Sequence, residues 1–445
     1  MNYMQNLLRF AVIAILTFFA FGPSHPGQAT QTETEPFSCT NVTEIPQIEC
    51  EALVALYHGM DGPNWSNNRG WLETNMPCDW YGITCRKENI SQLKLSGSQS
   101  YPFGLQGDVP TEIGNLSNLN ILELSSNQLS SLPAEIGNLN DLWTLHLGDN
   151  QLSSLPVEIS NLNNLIELYI PQNRLNRLPS EIGSLKKLSR LDLFDNQLSS
   201  LPSEIGNLNE LSWLELSNNQ LSNLPPEIGN LQLGTLGLAY NQLSSLPAEI
   251  GNINNLYELF LHNNNLSNLP VEINNLNNLD SLSLVSNQLS SLPVGIANLS
   301  NLDWLSVAYN RLAISDDNLR TFLTAYDFEW GATQTIAPEG VQAIVLGMDR
   351  IEMTWAPIAF QDKDGYYEIS IAEGGPFTVH GTTRTKSDNR YIINDLTKET
   401  SYEIRIRTYT SSHKAQSNQL WSAYSPIISA TTSRWNKLFL PLISQ

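Results

Sequence analysis

The sequence predicts an α/β solenoid followed by a β-rich unit, and three observations carry that expectation. A 23-residue phrase, "LSSLPAEIGNLNDLWTLHLGDNQ" at 129–151, is followed at once by "LSSLPVEISNLNNLIELYIPQNR" at 152–174. An asparagine returns at 127, 150, 173, 196, 219, 241, 264, 287 and 310, in steps of 23 with a single step of 22. Beyond residue 338, stretches such as "RIEMTWAP" and "GYYEISIAEG" alternate apolar and polar residues between turn residues, as strands do. A phrase of this length is one coil that cannot bury its apolar side alone, so neighbouring coils must stack.

The elements follow in chain order. Residues 1–29 read as a secretory signal peptide. Arg9 gives the positive flank, residues 10–22 an apolar run short for a membrane span, and Gly27-Gln28-Ala29 a cleavage site. No transmembrane helix is expected in the mature chain. In an oxidising compartment Cys39, Cys50, Cys78 and Cys85 should close two disulfides, and of three connectivities nearest-neighbour pairing is favoured. A zinc site of four thiolates is the competing reading, but the spacing is not that of zinc ribbons. Residues 50–58 carry an amphipathic helix signal, and Trp65, Trp71 and Trp80 suit packing of a lid rather than sugar binding.

Within a coil, Leu145 and Leu147 enter one side of a short strand while Thr144 and His146 face the other. Asn150 turns the chain, and its amide should satisfy backbone groups in a stacked ladder. Leu155 and Ile159 fill the core from the opposite wall. In Leu-Pro-x-Glu-Ile-Gly-Asn, Pro suits the first position of a helical turn, Glu its positive end, and Gly-Asn a left-handed or turn ending. The glutamates at 135, 158, 181, 204, 227, 249 and 272 then line a solvated convex ridge, which accounts for much of the acidity without a ligand. After the repeats, Ser315 is the expected cap of a closing helix over 315–326, with Phe322, Leu323 and Trp330 covering the last coil.

The consensus Leu-x-x-Leu-x-Leu-x-x-Asn-x-Leu-x-x-Leu-Pro-x-x-Ile-x-x-Leu resembles leucine-rich repeats of the LPxEIGNLxxL type. The cysteine-bearing segment ahead of it resembles the N-terminal cap of secreted leucine-rich repeat proteins, the receptor-like and inhibitor proteins of plants among them. The β-rich segment resembles a fibronectin type III domain, with Trp355 at the place of that family's core Trp and Tyr402, after "LTKETS", at its corner tyrosine. The resemblances imply an α/β leucine-rich repeat solenoid, with a parallel β concave face and short helical or 3-10 turns on the convex face, plus an all-β fibronectin type III sandwich. The expected organisation is signal peptide 1–29, cap 30–89, repeats 90–312, closing helix and linker 313–336, fibronectin type III domain 337–433 and apolar tail 434–445. No Arg-Gly-Asp is present, so integrin-type adhesion does not carry over.

Composition and motifs narrow the function. Forty-four acidic against 23 basic residues give a net charge of −21, which disfavours nucleic acid and anionic membranes as partners. No nucleotide-binding loop, dinucleotide fingerprint, nucleophile elbow or zinc-protease motif occurs, so neither an enzyme nor a metal or other cofactor is expected. The variable strand positions remain. About ten strands some 4.8 Å apart make a face of ~45 Å, a length that suits a macromolecule. That face offers Trp143, Tyr169, Phe194, Trp213, Tyr240, Tyr257, Phe260, Trp304 and Tyr309, with Asp192 and Glu215 among the interspersed acids. Clustered exposed aromatics point to a binding patch, and the acids favour a basic or mixed protein or peptide. The expected function is therefore a secreted or cell-surface recognition protein. Glycan or cell-wall binding and inhibition of a secreted hydrolase are the alternatives.

Overall fold

The computed structural model describes residues 37–435 apart from 99, 362, 415 and 417. The expected signal peptide and residues 436–445 of the tail lie outside them. Among the described residues no helix is long and apolar enough to cross a membrane.

Each coil contributes a short strand with a buried leucine, three residues long from Ile121–Glu123 onward. Ten such segments, from Asn89–Lys94 and Ile121–Glu123 to Trp304–Ser306, pair in parallel, and Ile83–Arg86 closes the first edge antiparallel. The register steps one coil at a time, Leu145 against Leu168 and Leu168 against Leu191. The 22-residue step leaves it intact, since Leu214 pairs Leu236 and Leu236 pairs Leu259. The missing residue is absorbed on the convex side, where Leu231 is extended (ψ 155°) while Leu208 at the equivalent place has ψ 74°.

The asparagines form the expected ladder. Asn150 donates to the carbonyls of Leu124 in the preceding coil and Leu147 in its own, both at 3.0 Å, and its Oδ1 accepts the Leu129 N–H at 3.0 Å. One side chain thus satisfies backbone groups in two coils. Behind it Leu152, Ile159 and Leu162 are wholly buried, each contributing about 1.5–3 kcal/mol relative to exposure.

One local expectation is corrected and another narrowed. The convex turns are 3-10 throughout, and the proline stands just before the turn, as Pro133 does (φ −76°, ψ 159°) ahead of Ala134–Asn138. There its carbonyl accepts the Ile136 N–H at 3.2 Å. The glycine of Gly-Asn is not left-handed. Gly137 is buried inside the turn, and a Cβ there would collide with the Glu158 carbonyl of the next coil. Close stacking, not backbone handedness, selects glycine.

Both ends are lidded. The N-terminal helix, Gln47–Gly59, begins three residues before the expected start, and its buried Glu49 accepts the Ile90 N–H at 2.7 Å, tying helix to first strand. Disulfides join Cys39 to Cys50 and Cys78 to Cys85, as nearest-neighbour pairing predicts. Trp65, Trp71 and Trp80 are buried against one another. The closing helix, Asp317–Tyr326, is capped by Asp316, whose carboxylate accepts the Leu319 N–H at 2.8 Å, rather than by Ser315. Leu323 and Trp330 are buried beneath the lid, and Phe322 is half-buried against Tyr326.

The C-terminal sandwich pairs a three-stranded sheet (Glu339–Val345, Ile351–Ala356, Arg390–Ile393) with a five-stranded one centred on Gly365–Ala372 and Ser401–Thr410. Trp355 lies in its core with Tyr367, Ile369, Ile404 and Ile406. The Tyr402 hydroxyl accepts the Thr397 N–H at 2.9 Å, the expected corner. Repeats and sandwich belong to one compact unit from Ser38 onward.

Candidate functional site

The outward strand positions align into rows across the coils. One row runs His146, Tyr169, Asp192, Glu215, Gly237 and Phe260, each in register with the next. A parallel row holds Glu167, Arg190, Trp213 and Thr235. Trp143 and Tyr257 stand just before their strands, and Phe194 just after its own. Tyr240 and Tyr309 take left-handed φ values of 54° and 57° in the turn before the ladder asparagine.

Six of the eleven expected site residues are open to solvent: Trp143, Tyr169, Phe194, Tyr240, Tyr257 and Trp304. Trp213, Phe260 and Glu215 are half-buried. The Arg190 guanidinium sits 5.2 Å from the Trp213 ring centre. Asp192 is buried, not presented. Tyr309 is not part of the open face, because the sandwich packs on it: its ring lies 5.7 Å from Phe360 and 5.3 Å from His413. Asn418 reaches the Asn264 carbonyl at 2.6 Å, so a loop of the sandwich borders the C-terminal end of the face.

The middle of the face dips into a cavity of about 230 Å³ lined by His146, Glu167, Tyr169, Arg190, Asp192 and Trp213. His146 lies 3.8 Å from Glu167 and its ring 5.3 Å from Tyr169. Burial pushes the Asp192 carboxyl up to about 6; the Phe194 N–H opposes this, the Glu215 charge adds to it and Arg190 reduces it. Burial lowers His262, whose ring stands edge-on to Tyr240 at 5.3 Å. Sequence reasoning missed Arg190. Its signal is its place one 23-residue step ahead of Trp213, where neighbouring coils put the two side by side. Among the described residues no group of three or more His, Cys, Asp or Glu is placed to hold a metal ion.

Comparison with known proteins agrees with this architecture. The profile of the leucine-rich repeat region matches residues 104–212 and 202–307, and that of the fibronectin type III domain residues 336–422. The chain is similar to the leucine-rich repeat receptor protein kinase EMS1 of Arabidopsis thaliana, at 34% identity over 92 residues, 21% of this chain and 7% of that protein. It is 27% identical over 132 residues to leucine-rich repeat extensin-like protein 7 of Arabidopsis thaliana, covering 28% of this chain and 30% of that one. The chain thus spans less than a third of either relative. Among solved structures, the leucine-rich repeat ectodomain of the Arabidopsis receptor kinase HAESA, in complex with an N-terminally extended IDA peptide hormone ligand, aligns with a TM-score of 0.51 at 30% identity, over 59% of this chain and 45% of that one. A leucine-rich repeat protein of Leptospira interrogans is 37% identical, with a TM-score of 0.47 over 52% of this chain and 64% of that one. The stacked coils, the asparagine ladder, the capped ends and the sandwich with its corner tyrosine make this chain a leucine-rich repeat protein that carries a fibronectin type III domain.

Proposed function

We propose that the chain is a non-enzymatic recognition protein, secreted or at the cell surface, that binds a protein or peptide on the concave face of its repeats. One observation carries the reading: six aromatic side chains stand open on a single face of repeats whose leucines are buried in the core. Exposed aromatics gathered in one sector mark binding surfaces, and tryptophan and tyrosine dominate binding energetics. The similar HAESA ectodomain, solved with a peptide hormone, supports a peptide or protein as the occupant. Two disulfides in the cap suit an oxidising compartment, in keeping with export.

The test is crosslinking of the full chain to intact cells, followed by identification of what is captured. The double variant Trp143→Ala with Tyr257→Ala should lower capture at least tenfold, since such anchors cost on the order of 1–2 kcal/mol each. Its circular dichroism should be unchanged, because both side chains are open. Undiminished capture by the double variant rules out the concave face. Capture of polysaccharide in place of protein replaces the occupant.

A further inference from the structure

The concave cavity holds a carboxylate that the fold does not explain. Asp192 is only 7% exposed. One of its oxygens accepts the Phe194 N–H at 2.9 Å, and among the described residues no donor bonds the other. Its partner in register on the next strand is another acid, Glu215. Glu215 accepts the Ser217 N–H at 2.7 Å and occupies the space over Gly237, where a Cβ would collide with its carboxylate. Neither acid is ion-paired among the described residues; Arg190, exposed on the strand of Asp192, lies over Trp213 instead. Asp192 therefore lines a cavity with aromatic walls, and a second acid, Glu215, stands beside it on the next strand, outside the lining. At about 230 Å³ it is smaller than the roughly 300–1,000 Å³ of small-molecule sites, and it suits a single side chain.

We propose, resting on the concave-face reading above, that this cavity anchors one basic side chain, arginine or lysine, of the partner, its charged head on Asp192, with Glu215 on the next strand adding to the negative field, and its stem between Tyr169 and Trp213. A cation supplies a charge-assisted hydrogen bond to the Asp192 oxygen that no donor bonds and offsets the repulsion from Glu215. The ring faces of Tyr169 and Trp213 attract the same cation, with Arg190 as the resident competitor for Trp213. The titratable and charged groups around Asp192 are Glu167 and His146 from the preceding strands, Arg190 on its own strand and Glu215 on the next. Because burial raises the Asp192 carboxyl, a cation binds better as pH rises from about 5 to 7 and this acid ionises.

N-acetyl-arginine amide and its neutral isostere N-acetyl-citrulline amide test this on the full chain labelled with 5-fluorotryptophan. The Trp213 resonance, assigned with Trp213→Phe, reports binding. The arginine probe should shift it at pH 7, and at least tenfold less tightly at pH 5. Citrulline should bind at least tenfold more weakly than arginine, Asp192→Asn should lose at least tenfold, and Glu215→Gln should lose less. Arg190→Ala should bind more tightly. Equal binding of arginine and citrulline, or wild-type affinity in both Asp192→Asn and Glu215→Gln, overturns the proposal. In the cell-capture experiment, loss with Trp143→Ala and Tyr257→Ala but full retention with Asp192→Asn removes the anchor alone. Retention in every variant removes the concave-face reading with it.

Discussion

Asn264, with 1% of its surface exposed, donates to Leu238 in one coil and Leu261 in its own while accepting the Leu243 N–H. Replacing it with Ala leaves those groups buried and unsatisfied, so a loss of at least roughly 1–3 kcal/mol is expected in urea unfolding. The requirement is the same in every coil, which is why the asparagine repeats and why sequence alone identifies its job. The reason for glycine at 137 was hidden, since the obstructing carbonyl belongs to Glu158, 21 residues away. Asp192 was hidden in the same way: its outward register is legible, but its burial depends on neighbours in adjacent coils. Its pH signature follows from linkage. An acid whose folded pKa is raised from 3.8 to about 6 makes the native state bind the extra proton, so its stability contribution falls as pH climbs from about 4 to 6. Asp192→Asn should therefore be more stable than the parent at pH 7.5, by on the order of 1–3 kcal/mol, and close to it at pH 4. Paired urea titrations at the two pH values decide this; an advantage that is equal at both would refute the linkage.

At the scale of elements, strands and turns were legible because each is short and periodic, while their ends follow local chemistry that a consensus does not display. Asp316 and Ser315 are both good caps, and only the position of the first helical residue, Asp317, chooses between them. The end of the ladder was missed altogether. After Asn310 no further asparagine arrives on the period; Gln334 takes over, its Oε1 accepting the Leu312 N–H at 3.1 Å and its Nε2 donating to Val307 and Trp330. A longer amide delivered from the lid performs the task of one more coil. Gln334→Ala should fray the last coil without unfolding the others, because a solenoid is stabilised chiefly by nearest-neighbour contacts. Hydrogen exchange should speed up at Leu312 while Leu152 stays protected; uniform protection in the variant would show that the lid, not the amide, holds the end.

For the whole molecule, the sequence announces two modules but not their attachment, since the contacts joining them lie far apart in the chain. Thr335 spans the junction, its N–H bonded to the Asn310 carbonyl at 2.8 Å and its hydroxyl to that of Thr410 at 2.9 Å. Arg311 bridges from the Gln288 carbonyl in the repeats to the Trp421 carbonyl in the sandwich, at 2.7 and 3.2 Å. Tyr309 adds ring contacts with Phe360 and His413. These bonds make the sandwich a fixed wall at one end of the concave face rather than a bead on a linker. The linker carbonyl of Ile336, held by the Thr408 hydroxyl at 2.7 Å, leaves little slack for a hinge. A fixed wall predicts coupled unfolding, in which the last coils and the sandwich lose structure together. Calorimetry of the parent should show the sandwich and the last coils in one transition. Tyr309→Ala with Arg311→Ala should split that transition and enlarge the radius of gyration measured by X-ray scattering. Independent unfolding of the sandwich already in the parent would mean that these contacts do not restrain it, and the wall would have to be redrawn as a mobile neighbour of the face.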